Sequence, residues 1–381
     1  MSVLLRRRVW IPIVLLAVLA PAMYSWTSMA VLPSSLPLGV RTVEWLRTNH
    51  FNWLVDGAEH VYYTWNAPKK GGPQLRTLPA VGLAAGPART NRRSHPKRTP
   101  PWPPPIRPIF ANPLPSEGAW KPAGPALDGS APVLLTTFRT ERAYPRIVAY
   151  VAWFDHTRTE LAYYPGRYEP PHATLRGSAE VPHGQRWRLL ATFNSGFIYQ
   201  DGLNGDTLNG HVNEPLKRGL ATLVAYRNGR VDIVGWNGGP APGPAVAWAR
   251  QSLPLIIDHG RLSPKLNDSS AWGYTLGNAV RVWRTGVGVD RRGNIVYAAA
   301  DYQTVTTLAR ILQRAGAVRA MELDINPEWP TLITYRHHNG LLPSRVVPNY
   351  QQPTTRYLVP DDRDFFAVYR RVSGPVDVPL K

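Results

Sequence analysis

Residues 284–334 carry the densest pattern of the chain and read RTGVGVDRRGNIVYAAADYQTVTTLARILQRAGAVRAMELDINPEWPTLIT. Two short apolar runs, Thr285–Val289 and Ile295–Ala300, flank a polar turn with a glycine, which is typical of a β-hairpin. Apolar residues then recur in steps of three and four over Gln303–Ala315, and this spacing predicts an α-helix. The alternating stretch Ala320–Ile325 predicts a further strand. The pattern therefore indicates a strand–turn–strand–helix–strand unit.

The last strand of this unit carries two acidic residues. Alternation puts Met321, Leu323 and Ile325 on one face of the strand and Glu322 and Asp324 on the other. Two carboxylates on one face repel each other unless a positive or proton-sharing group lies near them. The strand is therefore the strongest chemical signal in the sequence.

The N-terminus has the pattern of an export signal. Three arginines at positions 6–8 precede an apolar run that begins at Val9 and continues, more weakly, to Leu32. A basic flank before an apolar segment predicts a signal peptide or a signal anchor. Ser28-Met29-Ala30 loosely fits a cleavage site, but the length of the run favours an uncleaved transmembrane helix within residues 1–33. We expect a single-pass protein of the cell membrane with an extracytoplasmic domain, or a secreted one if the segment is cleaved.

The composition narrows the chemistry and the partners. The 381-residue chain has no cysteine, which excludes a disulfide scaffold, thiol catalysis and cysteine zinc sites. The ten histidines have no metal-ligand spacing, so neither a metal nor a cofactor is expected. The net charge of +19 suits lipid headgroups or phosphate-bearing envelope polymers, or it reflects an arginine-rich composition alone. Nucleic acid is not an expected partner, because no zinc-finger, RRM or KH pattern is present.

Composition also divides the chain behind the N-terminal segment. Residues 34–66 predict an amphipathic helix that lies on the membrane or packs on the domain. Residues 67–132 contain sixteen prolines and predict an extended basic linker. Residues 133–372 show many short strands and one clear helix, which predicts an α+β domain on a mixed or antiparallel sheet. Residues 373–381 form a tail.

Four blocks of the domain, taken together, resemble the phosphodiester glycosidase family. They read FNSGF at 193–197, PLIIDHG at 254–260, RTGVGVD at 284–290 and AMELD at 320–324, and the match extends over residues 181–369. Three positions depart from the family pattern. The family's Asn-Gly-Gly is Asn-Ser-Gly at 194–196, its Asp-Gly is Asp-Tyr at 301–302, and its Gly-Gly-Gly-Ser after Asp324 is INPEW at 325–329.

The resemblance implies a hydrolase that cleaves a glycosyl phosphodiester of the cell envelope. Such a reaction needs carboxylates at the anomeric carbon and positive charge on the phosphate. Asp324 is the expected leading catalytic carboxylate, and Asp301 and Glu322 are the expected additional ones. The expected substrate-binding residues are Arg284, Asn194, Gly196 and Thr285.

Three alternatives remain open from the sequence alone. Glu322 could instead form an ion pair with Arg284 or Arg319. The domain could bind phosphorylated envelope glycans without cleaving them, which the missing glycine block favours. A purely structural anchor module would place Arg284, Asp301 and Asp324 far apart.

Overall fold

Helices are few in the part of the chain that the structure describes. The computed structural model describes residues 19–32, 34, 36–81, 102–124, 131–202, 204–268, 271–272 and 280–372. Residues 19–31 are helical. The other α-helices are α1 (Leu38–Thr48), α2 (Asn52–Trp65), α3 (Tyr199–Gly202) and α4 (Val305–Arg314). Short 3-10 helices cover His183–Arg188, Pro264–Asn267 and Arg356–Leu358.

Eighteen strands within the described residues form three sheets, and every strand pair is antiparallel. The predicted α+β class with antiparallel sheets and few helices is thus confirmed. The strands are β1 (Lys121–Pro122), β2 (Val133–Glu141), β3 (Tyr144–Phe154), β4 (Thr159–Tyr164), β5 (Leu189–Asn194), β6 (Asp206–Leu208), β7 (His211–Glu214), β8 (Ala221–Tyr226), β9 (Val231–Gly235), β10 (Val246–Gln251), β11 (Leu255–Asp258), β12 (Arg261–Leu262), β13 (Val282–Asp290), β14 (Ile295–Gln303), β15 (Ala317–Glu322), β16 (Leu332–His337), β17 (Leu341–Arg345) and β18 (Phe365–Arg370).

The largest sheet has eight strands in the order β1-β2-β3-β14-β13-β15-β11-β12. The two smaller sheets have the orders β7-β6-β10-β8-β9 and β17-β16-β5-β18-β4. Helix α4 covers one face of the large sheet, and the two smaller sheets pack on its other face. Apolar side chains fill both interfaces, so the large sheet is buried on both faces.

The predicted hairpin forms between β13 and β14. Asp290 closes its turn, because its Oδ1 accepts hydrogen bonds from the backbone N–H groups of Arg292 and Asn294 at 2.8 and 2.9 Å. Gly293 follows with φ of 89°, a conformation that glycine adopts without steric cost.

Helix α4 begins at a capping box between Thr304 and Thr307, which satisfies two backbone donors of its first turn. Its apolar face lies close to the large sheet. A Cβ at Gly286 would stand 2.9 Å from a methyl carbon of Leu312 and 3.0 Å from the Met321 carbonyl oxygen, so a larger residue would require these neighbours to shift.

Strand β15 ends earlier than the alternation pattern predicts. It covers Ala317–Glu322, whereas the sequence predicts a strand up to Ile325. The chain leaves the large sheet at this point, because the backbone N–H of Asp324 donates to the carbonyl oxygen of Ser195 beyond β5. Asp324 therefore leaves the strand face that holds Glu322.

Residues 102–124, which belong to the predicted linker, pack on the domain and do not form an isolated spacer. Ile106 and Trp120 are buried in the core under the large sheet, and β1 pairs with β2. Glu117 and Arg139 form a buried ion pair at 2.7 Å. The prolines remove backbone donors but leave these apolar and charged side chains free to pack, which the composition alone did not reveal.

Within the described residues, no helix has the length and apolarity needed to cross a membrane. The predicted transmembrane helix is therefore not supported here, and its residues 1–18 lie outside the described part.

Candidate functional site

The strand β5 and the segment after β15 meet through the side chain of Asn194. Its Nδ2 donates to Thr285 Oγ1 and to the Ser195 carbonyl oxygen, both at 3.0 Å. Its Oδ1 accepts from the Tyr297 hydroxyl at 2.8 Å and from the Thr331 backbone at 3.2 Å. All four hydrogen-bonding positions of the amide are thus used, so Asn194 holds the framework of the site together.

Thr285 continues this connection. Its hydroxyl donates to the backbone carbonyl oxygen of Asp324 at 2.8 Å, and the residue is fully buried. Both predicted binding residues therefore fix the backbone that carries Asp324.

A small pocket opens where these segments meet. The space between its lining side chains is about 150 Å³ including the solvent at its open mouth, which is too little to enclose a whole glycoside. The lining residues are Asn194, Ser195, Gly196, Asp324, Trp329, Arg356, Arg363 and Asp364.

Arg363 is the central cation of the pocket, and the sequence pattern did not single it out. Its Nη2 donates to Asp324 Oδ2 at 2.5 Å, and both residues are buried. Burial raises the pKa of Asp324, and the positive charge of Arg363 opposes that rise. The Arg363 guanidinium therefore already has a buried carboxylate as its partner in the structure.

Further acidic side chains interact electrostatically with Arg363. Asp364 follows it in the chain, Glu169 comes from the segment after β4, and Glu44 comes from α1. Burial raises the pKa of Glu169 to about 7, against the opposing effect of Arg363. A carboxyl group with such a pKa can give or take a proton near neutral pH.

Several polar atoms at the pocket have no hydrogen-bond partner among the described residues. The donors are Arg363 Nε, Trp329 Nε1 and the Ser195 hydroxyl, and Asp364 Oδ1 is an acceptor. Buried polar atoms without partners are rare in folded proteins, so each one needs an explanation such as a ligand or a water molecule.

Trp329 stands in the segment where the family pattern has glycines. The guanidinium carbons of Arg363 and Arg356 lie 4.5 and 4.9 Å from its ring centroid. Leu36 and Val40 of the N-terminal segment pack on the same side chain. The tryptophan thus aligns the two arginines and narrows the pocket.

The loop that carries Arg363 packs closely against the backbone of Gly166. A Cβ at Gly166 would stand 2.5 Å from the Arg363 carbonyl carbon and from the Asp362 carbonyl oxygen. Only a glycine allows the two backbones to approach so closely.

Arg284 and Glu322 are not among the residues that line the pocket. Arg284 donates from Nη1 to Glu322 Oε1 at 2.5 Å and from Nε to the Gln303 carbonyl oxygen at 3.0 Å. Both residues are buried on the α4 side of the sheet, where Glu322 lies opposite Gly286. The structure shows the alternative arrangement, in which Glu322 forms an ion pair with Arg284. The Arg284 guanidinium is engaged in this pair and does not line the pocket.

Asp301 is likewise apart from the residues that line the pocket. It lies at the end of β14, accepts a hydrogen bond from the Tyr302 backbone at 2.7 Å, and interacts electrostatically with Tyr63 of α2. Burial raises its pKa to about 7. Its raised pKa therefore follows from its position under α2.

We expect Asp301 to make stability depend on pH. Its pKa of about 7 in the folded chain exceeds its ordinary value, so the folded state holds its proton more tightly than the unfolded state. The resulting stability is present at low pH and is lost as the pH rises through about 7. Asp301→Asn should therefore gain about 1–3 kcal/mol relative to the parent at pH 8 and little at pH 4.

Denaturant unfolding at both pH values measures this difference. Asp258→Asn, at an exposed turn, is the matched control and should show no comparable gain at pH 8. An Asp301→Asn variant with the pH dependence of the parent would contradict the interpretation.

Among the described residues, no group of three or more histidine or acidic side chains is arranged to hold a metal ion.

Comparisons with known proteins agree with the motifs of the sequence. A family model described as phosphodiester glycosidase matches residues 181–324. No curated protein matches the sequence significantly. Glu169, Arg363 and Asp364 lie outside the matched residues.

Among solved structures, the chain is similar to the zebrafish N-acetylglucosamine-1-phosphodiester alpha-N-acetylglucosaminidase catalytic domain auto-inhibited by its pro-peptide. The identity is 14%, the match covers 65% of this chain and 86% of that one, and the TM-score is 0.40. A hypothetical protein from Synechocystis matches at 12% identity, over 64% of this chain and 63% of that one, with a TM-score of 0.39. The family model thus confirms the predicted resemblance to the phosphodiester glycosidase family over residues 181–324.

Proposed function

We propose that the domain hydrolyses a glycosyl phosphodiester by breaking the bond between the sugar C1 and the phosphate oxygen. Water supplies the oxygen that the sugar gains, and the other product is a phosphate monoester. The observation that carries the proposal is the pocket in which the buried Asp324–Arg363 pair lies beside polar atoms without partners. The family match supports the same reaction class.

Arg363 is the proposed phosphate ligand. Its planar guanidinium can bind two phosphate oxygens at once, and its Nε has no partner among the described residues. In the free protein Arg363 is paired with Asp324. A bound phosphate would replace Asp324 as the partner of the Arg363 guanidinium. The Asp324 carboxylate would then be available for the reaction.

Asp324 is the proposed carboxylate at the anomeric carbon, as nucleophile or as the base for water. Glu169 does not line the pocket itself but interacts electrostatically with Arg363, and it is the proposed proton donor and acceptor, because its pKa of about 7 suits proton transfer at neutral pH. Phosphate is a good leaving group, so electrostatic stabilisation by Arg363 should contribute more than proton donation.

We also propose an extracytoplasmic, membrane-anchored protein that acts on phosphate-bearing glycans of the cell envelope. The support is the arginine triplet and the apolar run that starts at Val9, together with the net charge of +19.

A glycan-binding protein without turnover is the second candidate. The observation that favours it is Trp329, which narrows the pocket where the family pattern has glycines. Both candidates need Arg363, and only the first needs the carboxylate chemistry.

Substitution of Arg363 tests the proposal. Arg363→Gln should lower kcat/KM for sugar release from a sugar-1-phosphodiester by about 10²–10³-fold, because one preorganised charge is lost from the transition state. Arg363→Lys should recover only part of this loss, since an ammonium lacks the two-pronged geometry of the guanidinium. Sugar release by the purified variants, measured by chromatography, gives the rates.

Arg230→Gln is the matched control, because this exposed arginine stacks on Tyr226 outside the pocket. Unchanged turnover in Arg363→Gln would remove Arg363 from the site. A parent protein that binds phosphorylated glycans but releases no sugar from any phosphodiester would favour the second candidate.

A further inference from the structure

Large apolar side chains on the protein surface are concentrated in the N-terminal helices. Nineteen such side chains are exposed among the described residues, and eleven of them belong to residues 19–65. The remaining eight are spread over the domain, as is normal for a protein surface. This concentration of exposed apolar side chains therefore indicates that the N-terminal helices bind a partner.

Helix α2 has two different faces. Val55 and Tyr63 are buried against the protein, and Glu59 beside them pairs with Arg47 of α1 at 2.7 Å. The opposite face is also apolar, but it is exposed. A helix that only packed on the domain would carry polar residues there.

The exposed face is a continuous stripe along the helix. A turn of 100° per residue places five large apolar residues within one half of the helix surface, and the three residues between them, Gly57, Ala58 and Thr64, are small and uncharged. The five are Trp53 (68% exposed), Leu54 (44%), Val61 (47%), Tyr62 (56%) and Trp65 (84%). We call these five side chains the α2 stripe.

The composition of the α2 stripe indicates a lipid bilayer as its partner. Tryptophan and tyrosine prefer the boundary between headgroups and acyl chains, because their rings are apolar and their N–H or O–H group is polar. Three of the five residues are of these types. Lys69 and Lys70 follow α2 after three residues and are exposed, so they can contact anionic headgroups.

The chain upstream of α2 points to the same partner. Residues 19–31 pack on α1, since Trp26 Nε1 donates to Thr42 at 3.1 Å and Trp45 Nε1 donates to Ser25 at 3.0 Å. The apolar run that starts at Val9 therefore leads into the helices that carry the α2 stripe. A second copy of the chain would explain the apolar residues but not this continuity with an apolar, arginine-flanked segment.

We propose that the α2 stripe is a membrane-binding surface that lies in the interface of a bilayer with anionic lipids. This inference is independent of the hydrolase activity. Helix α1 also contacts the segment behind Asp324, because Arg47 lies 3.6 Å from Glu328. Docking of α2 would therefore hold the pocket next to the bilayer surface.

Single cysteines test the proposal cleanly, because the chain has none. We would prepare Val61→Cys and Trp65→Cys in the full chain, label each with an environment-sensitive fluorophore, and add vesicles of phosphatidylglycerol and phosphatidylcholine. Trp187→Cys is the control at a tryptophan of the domain whose exposure, 58%, lies between those of Val61 and Trp65. Vesicles with spin-labelled lipids then report whether each fluorophore contacts the bilayer.

The expected result is a blue shift and quenching by spin-labelled lipid at positions 61 and 65, and neither effect at position 187. Labels at 61 and 65 that stay in water while the chain is bound to vesicles would overturn the proposal. The same shift without vesicles, increasing with protein concentration, would assign the α2 stripe to self-association. Equal effects at all three positions would indicate non-specific adsorption and would also overturn it.

Discussion

Asp324→Asn should lower sugar release from a glycosyl phosphodiester by about 10²–10⁴-fold, while the protein stays folded and still binds phosphate. The substitution keeps the shape of the side chain and removes its charge and its basicity. The backbone of Asp324 stays fixed, because Thr285 donates to its carbonyl oxygen and Ser195 accepts from its N–H. The loss should therefore appear in kcat.

Binding of inorganic phosphate separates this account from a structural role for Asp324. Asp324 holds Arg363 in the free protein, so the asparagine variant should bind phosphate at least as tightly as the parent. Isothermal titration calorimetry measures the affinity. Asp232→Asn, whose partner Arg319 lies elsewhere, is the control and should keep its activity. An Asp324→Asn protein with the parent rate would contradict the assignment.

Arg284→Met should lower the free energy of unfolding by about 3–5 kcal/mol, because it leaves Glu322 buried without its cation. Arg284 also donates to the Gln303 carbonyl oxygen, which would lose that donor. Burial already raises the pKa of Glu322, so its carboxyl group should take up a proton in this variant. Denaturant unfolding measures the loss.

A double variant shows whether the charge pair causes the effect. Arg284→Met with Glu322→Leu should be closer to the parent in stability than Arg284→Met alone, because no uncompensated charge remains. The activity per folded molecule should stay close to that of the parent. A variant that folds stably but loses phosphate binding would restore the interpretation of Arg284 as the phosphate ligand.

The strand–turn–strand–helix part of the fold was predictable because local patterns determine it. The hairpin needs its aspartate and glycine at the turn, and helix α4 needs its apolar spacing and a capping threonine. The end of β15 was not predictable in the same way. Asp324 departs because Ser195, which follows the sequence-distant strand β5, supplies the next hydrogen-bond partner.

Local sequence patterns were also insufficient to predict the interactions of the charged residues. The sequence placed Arg284 and Glu322 near each other, but it could not show that they satisfy each other in a buried pair. Arg363 was missed because no local pattern marks it. It reaches Asp324 across 39 residues of chain, on a loop fixed by the approach of Gly166.

Identification of the bond that breaks during hydrolysis tests the central claim most directly. Hydrolysis of a sugar-1-phosphodiester in ¹⁸O-labelled water, followed by mass spectrometry of both products, identifies the atom that water attacks. The account predicts ¹⁸O in the released sugar, none in the phosphate monoester, and loss of this product in Asp324→Asn. Label in the phosphate, or unchanged sugar release in the variant, would contradict it.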